Sequence, residues 1–405
     1  MPTLRFGRAV RAMIVAFAPT MACARAASTP PTPAPTTEVA GPTTLLTRLG
    51  TDTLGVEQYT RTATRMEGVL VQRSPFTTVA RYQIELGPNS RPTHAEYSAR
   101  RGNGDVLSPM QSLSLQFAGD TIYVVGHRAG GDTTKANIAH GAFVPYVNGS
   151  YGLMELALNR VRSSGRDSLE LALVPLNFAV RNTTPMPLKL TGTDMARVAW
   201  FGAPLYLRHD GRGNLVSVDG SQTTNKVRVD RVATIDMDTL ARAWAARDQT
   251  GGPAGPVSAR DTVRATIGRA NVWVDYGRPA LRGRNVWVSG VLGDTIWRTG
   301  ANAATQLRTD ADLSIGGATV PAGLYTLWTQ TTPSGYRLIV NREAGQWGTD
   351  YHPERDLVRI PLRESPAPTP AERFTIAIDP QGTASAAVLT LTWGNKQLSV
   401  PVTAR

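Results

Sequence analysis

The chain has 405 residues, with 43 lysines and arginines against 31 acidic residues, a formal net charge of +12 and one cysteine. The basic excess excludes little by size but much by pattern. Only four residues are lysine (Lys135, Lys189, Lys226, Lys396), the arginines are scattered, almost all singly, and no basic run of five or recognition motif occurs, which argues against nucleic acid as a partner. A lone cysteine excludes a disulfide framework, and the length is ample for two cores.

The N-terminus predicts export. Arg5, Arg8 and Arg11 precede the apolar run Ala12–Ala18, and Ala24-Arg25-Ala26 fits a small-x-small cleavage site, so residues 1–26 read as a secretory signal peptide. That run is shorter than the roughly 18 apolar residues a spanning helix needs, and no later segment approaches this length, so no transmembrane segment is expected in the mature chain. Cys23 lies within the peptide, and its alternative role is the lipid-bearing residue of a lipoprotein. Removing the four arginines of the peptide leaves 39 basic and 31 acidic residues, a charge of +8 compatible with peripheral contact to an anionic membrane or glycan.

Residues 27–43, with Pro30, Pro31, Pro33, Pro35 and Pro42 among Ser and Thr, read as a disordered tether. A β-rich domain is predicted over 44–249. Alternating apolar residues mark its strands, as at Val69 and Val71, then Val79, Tyr82, Ile84 and Leu86. Leu113-Ser114-Leu115-Gln116-Phe117 and Ile122–Val124 flank a hairpin turn at Ala118–Thr121. Two helices interrupt it. One is expected near 150–162, with Leu153, Leu156, Ala157 and Val161 on one face. The other is expected near 237–248, with Met237, Leu240, Ala241 and Trp244 at helical spacing behind an Asp cap. This pattern suggests a curved antiparallel sheet wrapping a helix.

Thr250–Pro256 reads as a linker, and a second β domain follows over 257–405. Gly316-Gly317 supplies the two positive φ angles of a type I′ hairpin turn. Strands are expected at Gly323–Thr331, Tyr336–Asn341, Phe374–Ile378, Leu389–Trp393 and Leu398–Val402, with a turn at Gly394–Lys396 and an edge at Pro401. About ten short strands imply a β-sandwich or flattened barrel. The fold class is therefore mainly β, with two antiparallel β-rich domains.

Enzyme signatures are sparse. The sequence contains no His-Glu-x-x-His, no Gly-x-Ser-x-Gly and no lysine followed by Ser or Thr as a P-loop requires. His94, His127, His140, His209 and His352 are isolated, and Asp236-Met237-Asp238 and Asp310-Ala311-Asp312 lack the rest of a calcium loop, so neither metal nor cofactor is expected. A distant carboxylate pair for glycoside hydrolysis stays open.

Two polar-aromatic clusters do not fit the needs of plain strands. They are Asp275-Tyr276-Gly277-Arg278-Pro279 and Trp297-Arg298-Thr299-Gly300-Ala301-Asn302, followed by Thr305. In a binding reading, Trp297 stacks on a sugar or apolar group, Arg298 offers its planar fork to an anion, and Asn302 adds a donor and an acceptor. In a packing reading, Arg298 forms a buried pair with Asp275 while Trp297 is core. The ligand-binding candidates are Asp275, Tyr276, Arg278, Trp297, Arg298, Asn302 and Thr305.

These clusters, together with Pro321-Ala322-Gly323-Leu324-Tyr325 and Trp347-Gly348, make roughly 260–403 resemble the bacterial domain-of-unknown-function family 2911. Leu292-Gly293-Asp294 departs from the Pro-Tyr-Gly turn that the resemblance leads one to expect. The resemblance implies no activity. The reading is an exported, non-catalytic envelope protein, periplasmic or extracellular, that binds an unknown envelope ligand or protein. The alternatives are an enzyme acting on cell-wall glycan or lipid, with Asp275 as one acid, and a purely structural interaction module.

Overall fold

The computed structural model describes residues 41–107, 110–138, 142–176, 183–200, 203–223, 226–252, 254–255, 257–287 and 296–405. The expected signal peptide, most of the tether and Leu292-Gly293-Asp294 lie outside these residues. Both sheets described below belong to one compact unit, Val39–Arg405.

Among the described residues, fifteen strands form the first sheet. They are β1 Thr43–Leu49, β2 Asp52–Arg61, β3 Arg65–Gln72, β4 Thr78–Gly87 and β5 Arg91–Arg101, then β6 Met110–Ala118, β7 Thr121–Arg128, β8 Thr133–Ile138 and β9 Ala142–Tyr146. After helix α1, Met154–Ser163, come β10 Ser168–Pro175, β11 Thr184–Leu190, β12 Met195–Trp200, β13 Ala203–His209, β14 Leu215–Asp219 and β15 Arg228–Val232. The order across the sheet is β8 back to β1, then β15 back to β9. Neighbours pair antiparallel except β9 and β10, which are parallel. A parallel pair needs a crossover, and α1 provides it.

The crossover places α1 in the core. Leu153, Met154, Leu156, Ala157, Leu158 and Val161 are fully buried against inward residues such as Leu45, Met66, Leu70, Ile84, Leu115 and Val124. Burying such a large apolar side chain contributes roughly 1.5–3 kcal/mol. Helix α2, Met237–Gly251, covers the other face. Its Met237, Ala241 and Trp244 pack on Val56 and Val71, and Asp236 caps it by accepting the Thr239 N–H at 3.0 Å. Val69, Val71 and Val79 therefore face α2, while Tyr82, Ile84 and Leu86 face the main core.

Helix α2 continues into the expected linker as far as Gly251, because the chain first leaves helical φ at Gly252, φ +77°. Past it, Gly255 donates to Pro75 O at 2.7 Å and Val257 to Ser74 Oγ at 3.0 Å. Among the described residues, the segment between the sheets is thus helix as far as Gly251 and is held at Gly255 and Val257.

The second sheet has ten strands among the described residues. They are β16 Ser258–Ile267, β17 Ala270–Pro279, β18 Ile296–Trp297, β19 Thr305–Thr309, β20 Leu313–Ile315 and β21 Ala318–Val320, followed by β22 Gly323–Thr332, β23 Gly335–Asn341, β24 Asp356–Gln381 and β25 Thr383–Ala404. The order is β16-β17-β19-β22-β23-β24-β25-β20-β21, with β18 beside β22. The first part of β24 pairs with β23 as far as Leu362, and from Arg363 it pairs with β25. This long strand carries the sheet from one layer to the other. Val272, Val274, Leu307, Leu327 and Leu338 meet Phe374, Ile376, Leu389, Leu391 and Val400 in the core between the layers.

Gly316 and Gly317 take φ +58° and +88°, as the hairpin turn requires. Two expectations for the C-terminal strands change. No turn breaks β25 at Gly394–Lys396: it runs through as one continuous strand, and the register shifts that fall here, from Pro366↔Lys396 to Ala371↔Gly394, place the extra residues on β24. Nor is β25 an edge. It lies between β24 and β20, and Pro401 falls past the last β24 partner, Ser399, where no ladder donor to β24 is needed. No helix among the described residues is long and apolar enough to cross a membrane.

Candidate functional site

The structure brings most of the predicted cluster together as packing. Trp297 is buried, stacked on Trp393 with centroids 5.5 Å apart and edge-on to Phe374 at 4.9 Å. Tyr276 is also buried, and its hydroxyl accepts the Ile376 N–H at 3.1 Å, tying the two layers together. Arg278 uses all three guanidinium nitrogens, on Phe374 O, Asp261 and Thr375 Oγ1. Thr305 is fully buried and donates to Thr299 O at 2.7 Å.

Arg298 is buried but does not pair with Asp275. Its Nη1 donates to Asn302 O at 3.0 Å, and burial lowers its pKa, with Asp350 opposing. Asp275 accepts instead from Arg260 and from Thr262 Oγ1. The register explains the choice: Arg260 lies opposite Gly277 on the adjacent strand, two residues from Asp275 on the same outward face. Asn302 sits at φ +64° and its Nδ2 donates to Ser258 O at 3.4 Å.

Two glycines make this loop possible by close approach. A Cβ on Gly277 would stand 2.2 Å from Ala301 O, and one on Gly348 would stand 2.2 Å from Arg298 Cδ and 2.4 Å from Asn302 O. The neighbouring Trp347 is 53% exposed and bridges to Ala303.

An open surface lies on the outward face of the same sheet. Cross-strand register aligns Arg264, Trp273, Arg308 and Leu324 in one row over β16, β17, β19 and β22. Val272 and Val274 point inward, so Trp273 points outward and is half-buried. The Arg308 guanidinium lies 5.4 Å from the Trp273 ring centroid, and Leu324 is 47% exposed. Neither Arg264 nor Arg308 has a hydrogen bond or ion pair to another described residue. Of the acids on either side, Asp275 is paired with Arg260, and Asp310 accepts the Asn271 N–H and Nδ2, both at 2.7 Å; those bonds and the nearby Arg308 lower its pKa. Sequence reading missed this row. The alternation Asn271-Val272-Trp273-Val274-Asp275, which sets an indole among polar outward positions, was its one legible trace.

A second polar constellation is sealed inside the first sheet. Glu57 on β2 is 1% exposed. One carboxylate oxygen accepts Ser150 Oγ at 2.5 Å and Tyr82 OH at 2.6 Å, and the other accepts the N–H groups of Tyr151 and Gly152, each at 2.8 Å. Burial without a bonded cation raises its pKa against those hydrogen bonds. Glu155, in the first turn of α1, accepts Tyr59 OH at 2.7 Å, Arg61 Nε at 2.8 Å and the Leu215 N–H at 2.6 Å. Both carboxylates thus clasp the start of α1, a position where negative charge is favoured. Every contact is internal, which makes this an anchor of the helix. Among the described residues, no three His, Cys, Asp or Glu side chains gather as metal ligands.

No curated protein matches the chain. Among solved structures it is similar to a DUF1089 family protein from Pseudomonas aeruginosa, at 12% identity and a TM-score of 0.29, over 41% of this chain and 89% of that one. It is also similar to a β-barrel-like protein of the domain of unknown function DUF1849 from Brucella abortus, at 9% identity and a TM-score of 0.33, over 47% of this chain and 94% of that one. Residues 258–402, which run from the first strand of the second sheet into its last, match the family DUF2911, described as a protein of unknown function.

Proposed function

We propose that the protein is an exported, non-catalytic envelope protein that binds a ligand or partner through the outward face of its C-terminal sheet. The observation that carries this reading is the Arg264–Trp273–Arg308–Leu324 row, which sets an indole and an exposed leucine beside two guanidiniums that form no hydrogen bond or ion pair with a described residue. Buried or paired groups serve the fold; unpaired cations beside an aromatic on a regular sheet are the chemistry of recognition. Tyr276, Arg278, Trp297, Arg298, Asn302 and Thr305 would shape and hold this part of the domain, with Asp275 at the border of the row. Export rests on the arginine-led apolar N-terminus and Ala24-Arg25-Ala26, with lipidation at Cys23 as its variant.

A thermal-shift screen of glycans, lipids and metals on the whole mature chain tests the binding reading. A ligand at 100 times its Kd adds about 2.7 kcal/mol of stability. The stabilisation should vanish in Trp273→Ala. A ligand that stabilises both proteins equally would place the site elsewhere. For export, mass spectrometry should find a new N-terminus near Ala27, and an intact Met1 in cytoplasmic material would contradict it.

A further inference from the structure

We infer that the Arg264–Trp273–Arg308 row binds an acidic glycan, a saccharide chain carrying carboxylate or sulfate groups, laid across the strands. This rests on the reading that the outward face is a ligand site, and it specifies the ligand's chemistry. Trp273 is half-buried on the outward face, between valines that point inward, so part of its indole is open to solvent. Such a face packs against the C–H side of a pyranose ring. The Arg308 guanidinium lies over the indole ring, 5.4 Å from its centroid, so a stacking sugar shares the indole with it or displaces it. Arg264 stands on the opposite neighbouring strand, directly across from Trp273.

Adjacent strands lie 4.7–4.9 Å apart, so the two arginine positions are about 10 Å apart with the indole between them. One stacked sugar with acidic groups to either side matches this arrangement. The guanidinium fork suits carboxylate and sulfate oxygens; of the two flanking acids, Asp275 is paired with Arg260, while Asp310 is held by Asn271 and keeps its charge near Arg308, which an incoming anion has to outcompete. An anionic membrane fits less well. The row offers one exposed leucine and a half-buried indole, with no projecting apolar cluster to enter a bilayer.

Isothermal titration of the mature chain with oligogalacturonate, its methyl ester, dextran sulfate and phosphatidylglycerol vesicles tests the assignment. The acidic glycans should bind, about tenfold more weakly once salt rises from roughly 0.05 to 0.5 M. Arg264→Gln and Arg308→Gln should each weaken binding several-fold, and Trp273→Ala should abolish it, with circular dichroism showing each variant folded. Oligogalacturonate and dextran sulfate distinguish carboxylate from sulfate recognition, and binding of either supports the proposal. Equal binding of the methyl ester would overturn the acidic requirement while leaving the site in place. Acidic-glycan binding unchanged in Trp273→Ala and Arg264→Gln would overturn the site itself. Binding to vesicles alone, or to none of the four, would overturn the glycan assignment.

Discussion

Glu57 on β2 accepts the Gly152 N–H at 2.8 Å, two residues before α1 begins, and so joins the first sheet to the helix it encloses. The same carboxylate receives the Tyr151 N–H, Ser150 Oγ and Tyr82 OH. One oxygen faces two N–H groups, which can only donate, and the other faces two hydroxyls, which can also accept. Glu57→Gln can therefore keep every bond, its carbonyl on the backbone and its amide on the hydroxyls. Its melting curve should lie within about 1 kcal/mol of the parent protein. Glu57→Leu strands buried donors that cost about 1–3 kcal/mol each, so it should lose 3 kcal/mol or more in denaturant unfolding. Equal loss in both variants would mean that charge, not hydrogen bonding, holds the helix.

Glu57 also sets a pH dependence. Its folded pKa is raised by burial, so between the ordinary glutamate value and the raised one the folded protein holds a proton that the unfolded chain has lost. In that window stability falls as pH rises. The other groups of the network are Tyr82, Tyr59, whose pKa is raised by burial, Glu155, Arg61 and Arg231. Subtracting the Glu57→Gln stability profile from the parent's should leave a difference that declines with pH from mildly acidic conditions upward. A flat difference would show that the carboxylate stays ionised throughout.

Gly348 and Arg298 interlock in the second sheet. A Cβ at 348 would stand 2.2 Å from Arg298 Cδ and 2.4 Å from the Asn302 carbonyl oxygen, which is backbone and has little room to yield. Gly348→Ala should cost about 1–3 kcal/mol, as overpacking does. Gly130→Ala, where a Cβ meets nothing within 4 Å, should be close to neutral. Similar small changes in both melts would show that the 298–304 loop is loose.

What the sequence made legible were local patterns. The spacing of Met237, Leu240, Ala241 and Trp244 places α2, and Gly316-Gly317 places a hairpin, because neighbours in the chain settle both. The predicted Trp297 cluster is a real structural unit, yet its packing depends on Trp393, Phe374 and Gly348, far along the chain. The Glu57 network was hidden for the same reason: Ser150 lies 93 residues away, and a lone glutamate in a strand reads as solvent-facing. The continuity of β25 through Gly394 was also illegible, since a register shift and a turn share the same residues.

Asp275 shares hydrogen bonds with Arg260, while Arg298 donates to Asn302 O. Arg298→Ala and Asp275→Ala should then be additive within about 0.5 kcal/mol in a double-mutant cycle, because the two share no partner. Arg298→Ala alone should still be costly, since it empties a buried position that Gly348 and Asn302 close around. Arg260 and Asp275 are both partly exposed, with side chains 33% and 43% accessible. Their coupling should therefore be favourable but below about 1 kcal/mol, and it should shrink in high salt. Urea melts of the single and double variants at two salt concentrations would measure both cycles. A coupling of several kcal/mol between Arg298 and Asp275 would restore the buried pair and dissolve the division between a packed loop and an open sheet face.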